Sequence, residues 1–171
     1  MDELKRQAQA AYERGRRRLG LRQALLVLPV GALAIWRGSA LEQGPIALGV
    51  FLMVAAFAWR GGALGRAVWP GLLGGTVAFG LPLLATAGGL APVGCGATAG
   101  CLSACIAGGV GAGIAIGRLA GPRSSLLAAL AIAGGLAALS CLPLGASALI
   151  AAGAAAGVSA PVTRWLIPAR T

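Results

Sequence analysis

Four cysteines have the most distinctive chemistry in this 171-residue chain: Cys95, Cys101, Cys105 and Cys141. Cys101 and Cys105 are four residues apart, so a helix would place both on one face. Thiolates bind thiophilic metals such as Cu(I) and Zn(II), and paired thiols form disulfides in oxidising compartments. The residue types therefore leave three interpretations open. These are a structural disulfide, a thiol sensor or metal site, and cysteines that serve only as small apolar residues.

The other ionisable residues exclude most enzyme chemistry. The chain has no histidine, which is the commonest general base and metal ligand. A paired-carboxylate hydrolase or a proton relay would need ionisable groups at membrane depth, and none of the acidic residues lies at that depth. They are Asp2, Glu3, Glu13 and Glu42. We therefore predict no enzymatic activity and no resident cofactor, apart from a transient thiophilic metal at the cysteines.

Composition indicates that the cysteines belong to an integral membrane protein. Hydrophobic residues make up 58% of the chain and charged residues 11%, and the mean hydropathy is +0.86. A soluble domain carries about 25% charged residues, so this chain has too little ionic surface to cover a water-soluble globule. We predict an all-α, polytopic membrane protein with six transmembrane helices. The predicted spans are Leu21–Trp36, Leu41–Trp59, Ala67–Ala87, Cys101–Gly117, Ser124–Leu142 and Ala146–Ile167.

The chain divides into an arm, a membrane domain and a tail. Residues 1–23 are strongly basic and have apolar residues at helical spacing, which predicts a cytoplasmic arm that forms a short amphipathic helix. Residues 24–167 would form the six-helix transmembrane domain, and residues 168–171 a cytoplasmic tail. Small residues at Gly38-Ser39-Ala40 also leave open a cleaved secretory signal, whose removal would leave five spans.

Basic residues orient the predicted spans, because Lys and Arg favour cytoplasmic loops. With the N-terminus inside, 13 of the 14 basic residues fall in inside segments and only Arg37 falls outside. This distribution predicts six spans with both termini cytoplasmic. It also gathers all four cysteines at the opposite face of the membrane.

Small residues recur at a spacing that brings membrane helices close together. A glycine ridge with four-residue spacing predicts a tight helix contact, within one chain or between copies, so a homo-oligomer stays open. Its members are Gly109, Gly113, Gly117 and Gly121, and Gly153 and Gly157 repeat the spacing in the last span. Three prolines within the spans are expected to kink or break them; these are Pro29, Pro82 and Pro161.

The arginines of the arm are candidates for binding a partner or anionic lipid. Arg14, Arg16, Arg17 and Arg18 lie within five residues, immediately before the first span. A basic residue near an anionic membrane surface contributes about 1 kcal/mol of binding. Direct binding of nucleic acid is not predicted, because no folded element that reads a nucleic acid accompanies the arm.

Several short motifs resemble one family. Cys101-Leu102 opens the fourth span, and a basic connector with Gly121-Pro122 follows that span. The fifth span ends in Ser140-Cys141-Leu142-Pro143, and the last ends in Arg164-Trp165. Across about residues 60–165 the chain resembles the NrsF-type anti-sigma factors, which are six-span proteins of the bacterial inner membrane.

This resemblance implies a mechanism for the chain. The cytoplasmic arm would hold an extracytoplasmic-function sigma factor at the membrane. Cys101 and Cys141, which match the family pattern, would respond to oxidants or metals and cause release, whereas Cys95 and Cys105 are additional. Two alternatives remain: a carrier or channel for a thiophilic metal with Cys101 and Cys105 as ligands, and a structural or assembly subunit packed through the glycine ridge.

Overall fold

The computed structural model describes residues 2–37, 39–87, 99–119, 123–141 and 146–166, which form helices and no strand. The helices are α1 (Asp2–Leu25), α2 (Val27–Arg37), α3 (Ala40–Arg60), α4 (Gly62–Ala87), α5 (Ala99–Leu119), α6 (Arg123–Cys141) and α7 (Ala146–Leu166). The predicted all-α fold is therefore confirmed for this part of the chain. The predicted tail, residues 168–171, lies outside it.

Four helical stretches of the described residues are long and apolar enough to cross a membrane. They are Lys5–Arg37, Ala40–Arg60, Gly62–Ala85 and Leu102–Leu119. The apolar parts of α6 and α7 are shorter, at Ser125–Ser140 and Leu149–Thr163. The structure thus supports a membrane protein with four clear candidate spans, and the count of six stays a prediction.

The basic arm is helical and runs into the first predicted span. Only a turn at Leu26 separates α1 from α2. Pro29 explains this break, because it has no N–H to donate to the carbonyl four residues earlier and its ring clashes there. The Leu26 N–H instead donates to the carbonyl of Gln23 at 3.2 Å, a tighter turn. Helices α4 and α7, by contrast, continue through Pro82 and Pro161.

A capped turn starts α3. The Ser39 hydroxyl accepts a hydrogen bond from the Glu42 N–H at 3.2 Å, and Ser39 itself has an extended backbone with φ −94° and ψ 134°. A serine in this conformation provides a hydrogen-bond acceptor for one of the free N–H groups at a helix start. The negative charge of Glu42 in the first turn interacts favourably with the positive end of the helix dipole. Ser39 therefore has a structural role as a helix cap.

Two glycines make the sharp turn between α3 and α4. Gly61 and Gly62 have φ of 65° and 58°, in the left-handed region that glycine adopts without steric cost. The Gly61 N–H donates to the Phe57 carbonyl at 3.1 Å and ends α3. The turn makes α3 and α4 neighbours.

Close contacts at glycines show the relative directions of the later helices. Gly74 of α4 approaches Ile116 and Gly108 of α5 approaches Ala78, so α4 and α5 are antiparallel. By the same test α4 and α6 are parallel, since Gly71 approaches Ala129 and Ile132 whereas Gly75 approaches Leu136. Helices α5 and α7 are also parallel and in close contact. Helix α4 packs against both α5 and α6.

The core has a bulky part and a part made of small residues. Branched side chains from α2, α3, α4 and α6 form the larger buried cluster, which includes Val27, Val54, Val68, Ile132 and Leu136. Elsewhere the buried residues are mainly alanines. Large apolar side chains also cover the outside of the helices, as expected where lipid rather than water is the solvent. All four tryptophans are more than half exposed: Trp36, Trp59, Trp69 and Trp165.

Candidate functional site

Cys101 and Cys141, the cysteines of the motifs described above, lie in terminal helical turns at the same end of the helix bundle. Cys101 is in the first turn of α5, and Cys141 is the last residue of α6. Both turns lie toward the C-terminal end of α4, because α5 is antiparallel and α6 is parallel to that helix. Cys95 lies outside the described residues. Cys105 lies one turn further into α5, so the backbone brings three of the four candidate sensor positions to one end.

Helix α4 packs between the helices that carry these two cysteines. Both α5 and α6 make extensive contact with α4 and only slight contact with each other. A link between the ends of α5 and α6 would consequently act across α4.

Cys105 is a buried packing residue. Only 1% of its surface is exposed, and it forms a cluster with Ala152 and Leu149 of α7. Its sulfur is a thiol and not part of a disulfide. Such a position suits cysteine as a small apolar side chain. It does not suit a metal ligand at the mouth of a pathway, as the carrier alternative requires.

The glycine ridge continues from Cys105 along the same face of α5 and packs against α7. An added Cβ at Gly109 would meet the carbonyl oxygen of Ala152. At Gly113 it would lie 2.7 Å from the Ala156 oxygen, and at Gly117 2.6 Å from the Ala160 oxygen. The partner residues Ala152, Ala156 and Ala160 are themselves four apart. We call this contact the α5–α7 seam, and Gly121 lies outside the described residues.

Gly153 and Gly157 take no part in the seam. Both are exposed, and a Cβ added at either would meet nothing within 4 Å. They line a mostly apolar cavity of about 130 Å³ between α4, α5, α6 and α7. The residues of α7 whose backbone contacts the glycines of α5 are therefore the alanines of the four-residue series Ala152, Ala156 and Ala160, and not the glycines of this pair.

Hydroxyl groups in the seam bond mainly to their own helix. The Ser159 hydroxyl donates to the Ala155 carbonyl at 2.7 Å, and the Thr163 hydroxyl donates to the Ser159 carbonyl at 2.7 Å. Ser159 also reaches the Val110 carbonyl of α5 at 3.4 Å, near the limit of a hydrogen bond. Shape, more than polar bonding, thus joins α5 to α7.

The basic arm contacts the membrane domain at the opposite end from Cys101 and Cys141. Gly20 is buried against α3. A Cβ added there would lie 3.4 Å from the Ala58 Cβ and 3.4 Å from the backbone nitrogen of Trp59. The Arg16 guanidinium donates to the Arg60 carbonyl at the end of α3, where cations are favoured by the helix dipole. The Arg17 guanidinium lies 5.8 Å from the centre of the Trp59 ring.

The side chains in the middle of α1 are largely exposed. From Ala11 to Leu19 every side chain is exposed except the half-buried Arg16, and a Cβ added at Gly15 would meet nothing within 4 Å. The four arginines predicted to bind a partner or lipid therefore differ in surroundings. Arg16 and Arg17 contact residues of α3, whereas Arg14 and Arg18 lie together on an exposed face of α1.

A metal site with three or more protein ligands is not found among the described residues. No group of three potential ligands from His, Cys, Asp and Glu comes together within that part of the chain. Any metal bound there would rely on fewer protein ligands than the four of a structural zinc site.

Sequence reasoning missed several residues of these contacts. The buried amide of Gln43 is 3% exposed, and its Oε1 has no hydrogen-bond partner among the described residues. Gly71, Gly74 and Gly75 of α4 also approach neighbouring helices closely. Gly71 and Gly75 are four residues apart, but Gly74 beside Gly75 makes this spacing hard to recognise in the sequence. The signal for Gly20 was weak, because a single glycine among arginines shows no periodicity.

The chain matches no protein-family model, no curated protein and no solved structure. A function is therefore argued from the geometry and from the motifs of the sequence.

Proposed function

We propose that this chain is a six-span protein of the bacterial inner membrane that regulates a sigma factor, in the manner of the anti-sigma factors it resembles. Both termini would be cytoplasmic, consistent with 13 of 14 basic residues on that side. The chain would hold the sigma factor through α1 and release it after a change at Cys101 and Cys141. Nucleic acid is not a direct partner in this proposal.

Helix α1 is the observation that supports the proposal most. It is a basic helix of 24 residues whose side chains are mostly exposed from Ala11 to Leu19 and which packs closely on α3 at Gly20. The exposed part offers a surface for a partner, with Arg14 and Arg18 on one face. The attached part connects that surface to the membrane domain through Arg16 and Arg17.

The sensing step would be either oxidation of two thiols to a disulfide or binding of a metal ion by both. Oxidation would remove two electrons and two protons from Cys101 and Cys141, transferring them to an oxidant as an S–S bond forms. A thiophilic metal ion would instead replace the two thiol protons. Either change links the ends of α5 and α6, which both pack on α4.

The change would reach α1 through α4 and the turn that precedes it. Gly61 and Gly62 join α4 to α3, and Arg16 donates to the carbonyl of Arg60 beside that turn. A shift of α4 between two packings would therefore alter the end of α3 on which α1 rests. Such a two-state element is what coupling between distant sites requires.

Co-purification from the native host tests the proposal. We expect a sigma factor to co-purify with the full chain, and to be lost from the double variant Arg14→Gln/Arg18→Gln. Arg118→Gln is the matched control, because Arg118 is an exposed arginine in the last turn of α5. An oxidant or Zn²⁺ should release the sigma factor from the wild type but not from Cys101→Ser or Cys141→Ser. If no sigma factor co-purifies, or if both serine variants still release it, the proposal is wrong.

A further inference from the structure

A groove between α1 and α3 lies beside the point where the arm joins the membrane domain. It is lined by Arg17, Gly20 and Leu21 from α1 and by Ala55, Ala56 and Trp59 from α3. The three residues from α1 share one helix face, since they are three and four apart. Its volume is about 440 Å³. Small-molecule sites range from about 300 to 1,000 Å³.

The groove exists because its floor is made of small residues. Gly20 lets α1 approach α3 closely, and Ala55 and Ala56 leave space between the larger walls of Leu21 and Trp59. Trp59 is 54% exposed and Leu21 is 55% exposed, so the walls are open to the surroundings. An apolar chain lying in this space would cover both.

Arg17 gives the groove a positively charged mouth. Its guanidinium is held over the Trp59 ring at 5.8 Å, a cation–π distance that fixes the charge beside the apolar floor. Arg16 is oriented differently, because it donates to the Arg60 carbonyl. Residues 13–22 contain five arginines and one glutamate, so the local field attracts anions.

The composition of the groove selects its occupant. A soluble anion would gain nothing from the apolar floor, and a neutral apolar molecule would gain nothing from Arg17. We propose that the groove binds one anionic glycerophospholipid, with an acyl chain along Gly20, Ala55 and Ala56 and its phosphate at Arg17. The position fits this assignment, because the arginines of α1 end at Arg22 and the sequence is apolar from Ala24. Tryptophan and arginine are typical of this boundary between headgroups and hydrocarbon.

Native mass spectrometry of the full chain tests the proposal. The protein would be reconstituted in nanodiscs of equal phosphatidylglycerol and phosphatidylcholine, then released into detergent and analysed for retained lipid. We expect phosphatidylglycerol to be retained over phosphatidylcholine. Arg17→Gln should lower the average by one phosphatidylglycerol per chain and weaken binding about tenfold, as expected for loss of a charge-assisted hydrogen bond.

Two further variants separate a groove from general attraction to charge. Ala56→Leu fills the floor and keeps every arginine, and Ala56 is exposed enough for the helix to accept it. It should lower retention as Arg17→Gln does. Arg118→Gln removes the same charge at the exposed end of α5, outside the groove, and should change retention by less than about twofold.

Three results would overturn the proposal. They are equal loss in Arg17→Gln and Arg118→Gln, unchanged retention in Ala56→Leu, and equal retention of phosphatidylcholine and phosphatidylglycerol. Circular dichroism confirms that each variant is helical before it is compared. The test requires the chain in a bilayer but no sigma factor, so its result is independent of the regulatory proposal.

Discussion

Two pairs of parallel helices use glycine in different ways. In the α5–α7 seam, glycines of α5 face the backbone carbonyls of Ala152, Ala156 and Ala160. In the α4–α6 contact, Gly75 faces the side chain of Leu136, which is fully buried. The seam glycines all meet the backbone of α7, whereas Gly75 leaves space for a large side chain, although Gly71 of the same α4–α6 contact also approaches the Ala129 carbonyl.

This difference predicts unequal tolerance to substitution. A backbone carbonyl held in a helix has nowhere to move, so a new Cβ in the seam must push α7 away as a whole. A leucine side chain can change rotamer, at a cost of about 0.5–1.5 kcal/mol for an off-rotamer angle. The seam should therefore be the more rigid of the two contacts and the one on which the fold depends more.

The largest expected effect is from Gly113→Val in the seam. The added Cβ would lie 2.7 Å from the Ala156 oxygen and would also meet the Ser159 hydroxyl. We expect a loss of stability at or above the upper end of the range of about 1–3 kcal/mol for overpacking. Thermal unfolding in detergent, followed by circular dichroism, measures it.

Gly157→Val is the matched control for this substitution. It makes the same chemical change in α7, where the added Cβ meets nothing within 4 Å. We expect its unfolding temperature to stay close to that of the wild type. If the two variants lose equal stability, the seam is not the contact that the structure describes.

A smaller effect is expected at Gly75 in the α4–α6 contact. The Cβ in Gly75→Ala would lie 2.9 Å from the Leu136 Cβ, and we expect a loss of about 1–2 kcal/mol. Leu136→Ala creates a cavity on its own, and the methyl of Gly75→Ala would partly fill it. The double variant should therefore be more stable than the sum of the single losses predicts, by about 1 kcal/mol. Strict additivity would show that the two residues do not meet.

The sequence predicted the glycine ridge of α5 but not its partner. Four-residue spacing stands out for glycine, whereas the alanines of α7 are so numerous that Ala152, Ala156 and Ala160 do not stand out. Gly153 and Gly157 had the same spacing and drew attention instead. On a helix one residue corresponds to about 100° of rotation, so this neighbouring stripe faces elsewhere. Periodicity in one helix identifies a face, but it does not identify which helix covers it.

Local chemistry was easier to anticipate than helix neighbours. The break at Pro29 follows from the missing N–H, although α4 and α7 continue through Pro82 and Pro161, which lack the same group. The helical arm follows from its periodicity. The order in which helices pack does not follow, because α5 contacts α7 and α4 more than α6, its neighbour along the chain. In lipid the packing depends on close fit and interhelical hydrogen bonds, without a difference in hydrophobicity to separate the faces. Consequently the sequence predicted Cys101 and Cys141 at one end but not the α4 helix between their helices.

A third prediction concerns Cys105, at the end of the seam near Cys101. With the other cysteines changed to serine, a water-soluble maleimide should label Cys105 after denaturation and leave it unlabelled in the folded protein, because its exposure is 1%. Cys105→Ala should cost about 1 kcal/mol, as for a small cavity. Rapid labelling of the folded protein would contradict the burial and would restore Cys105 as a candidate ligand.

The smallest effect is expected from Ser159→Ala, which separates shape from hydrogen bonding in the seam. The Ser159 hydroxyl bonds within its own helix at 2.7 Å and reaches α5 only at 3.4 Å, so its loss should cost no more than about 0.6 kcal/mol. Ser159→Val puts a larger group beside Gly113 and should cost more than the alanine variant, although both remove the same hydroxyl. If the two substitutions cost the same, hydrogen bonding and not close packing joins α5 to α7, and the contrast between the two helix pairs would lose its physical basis.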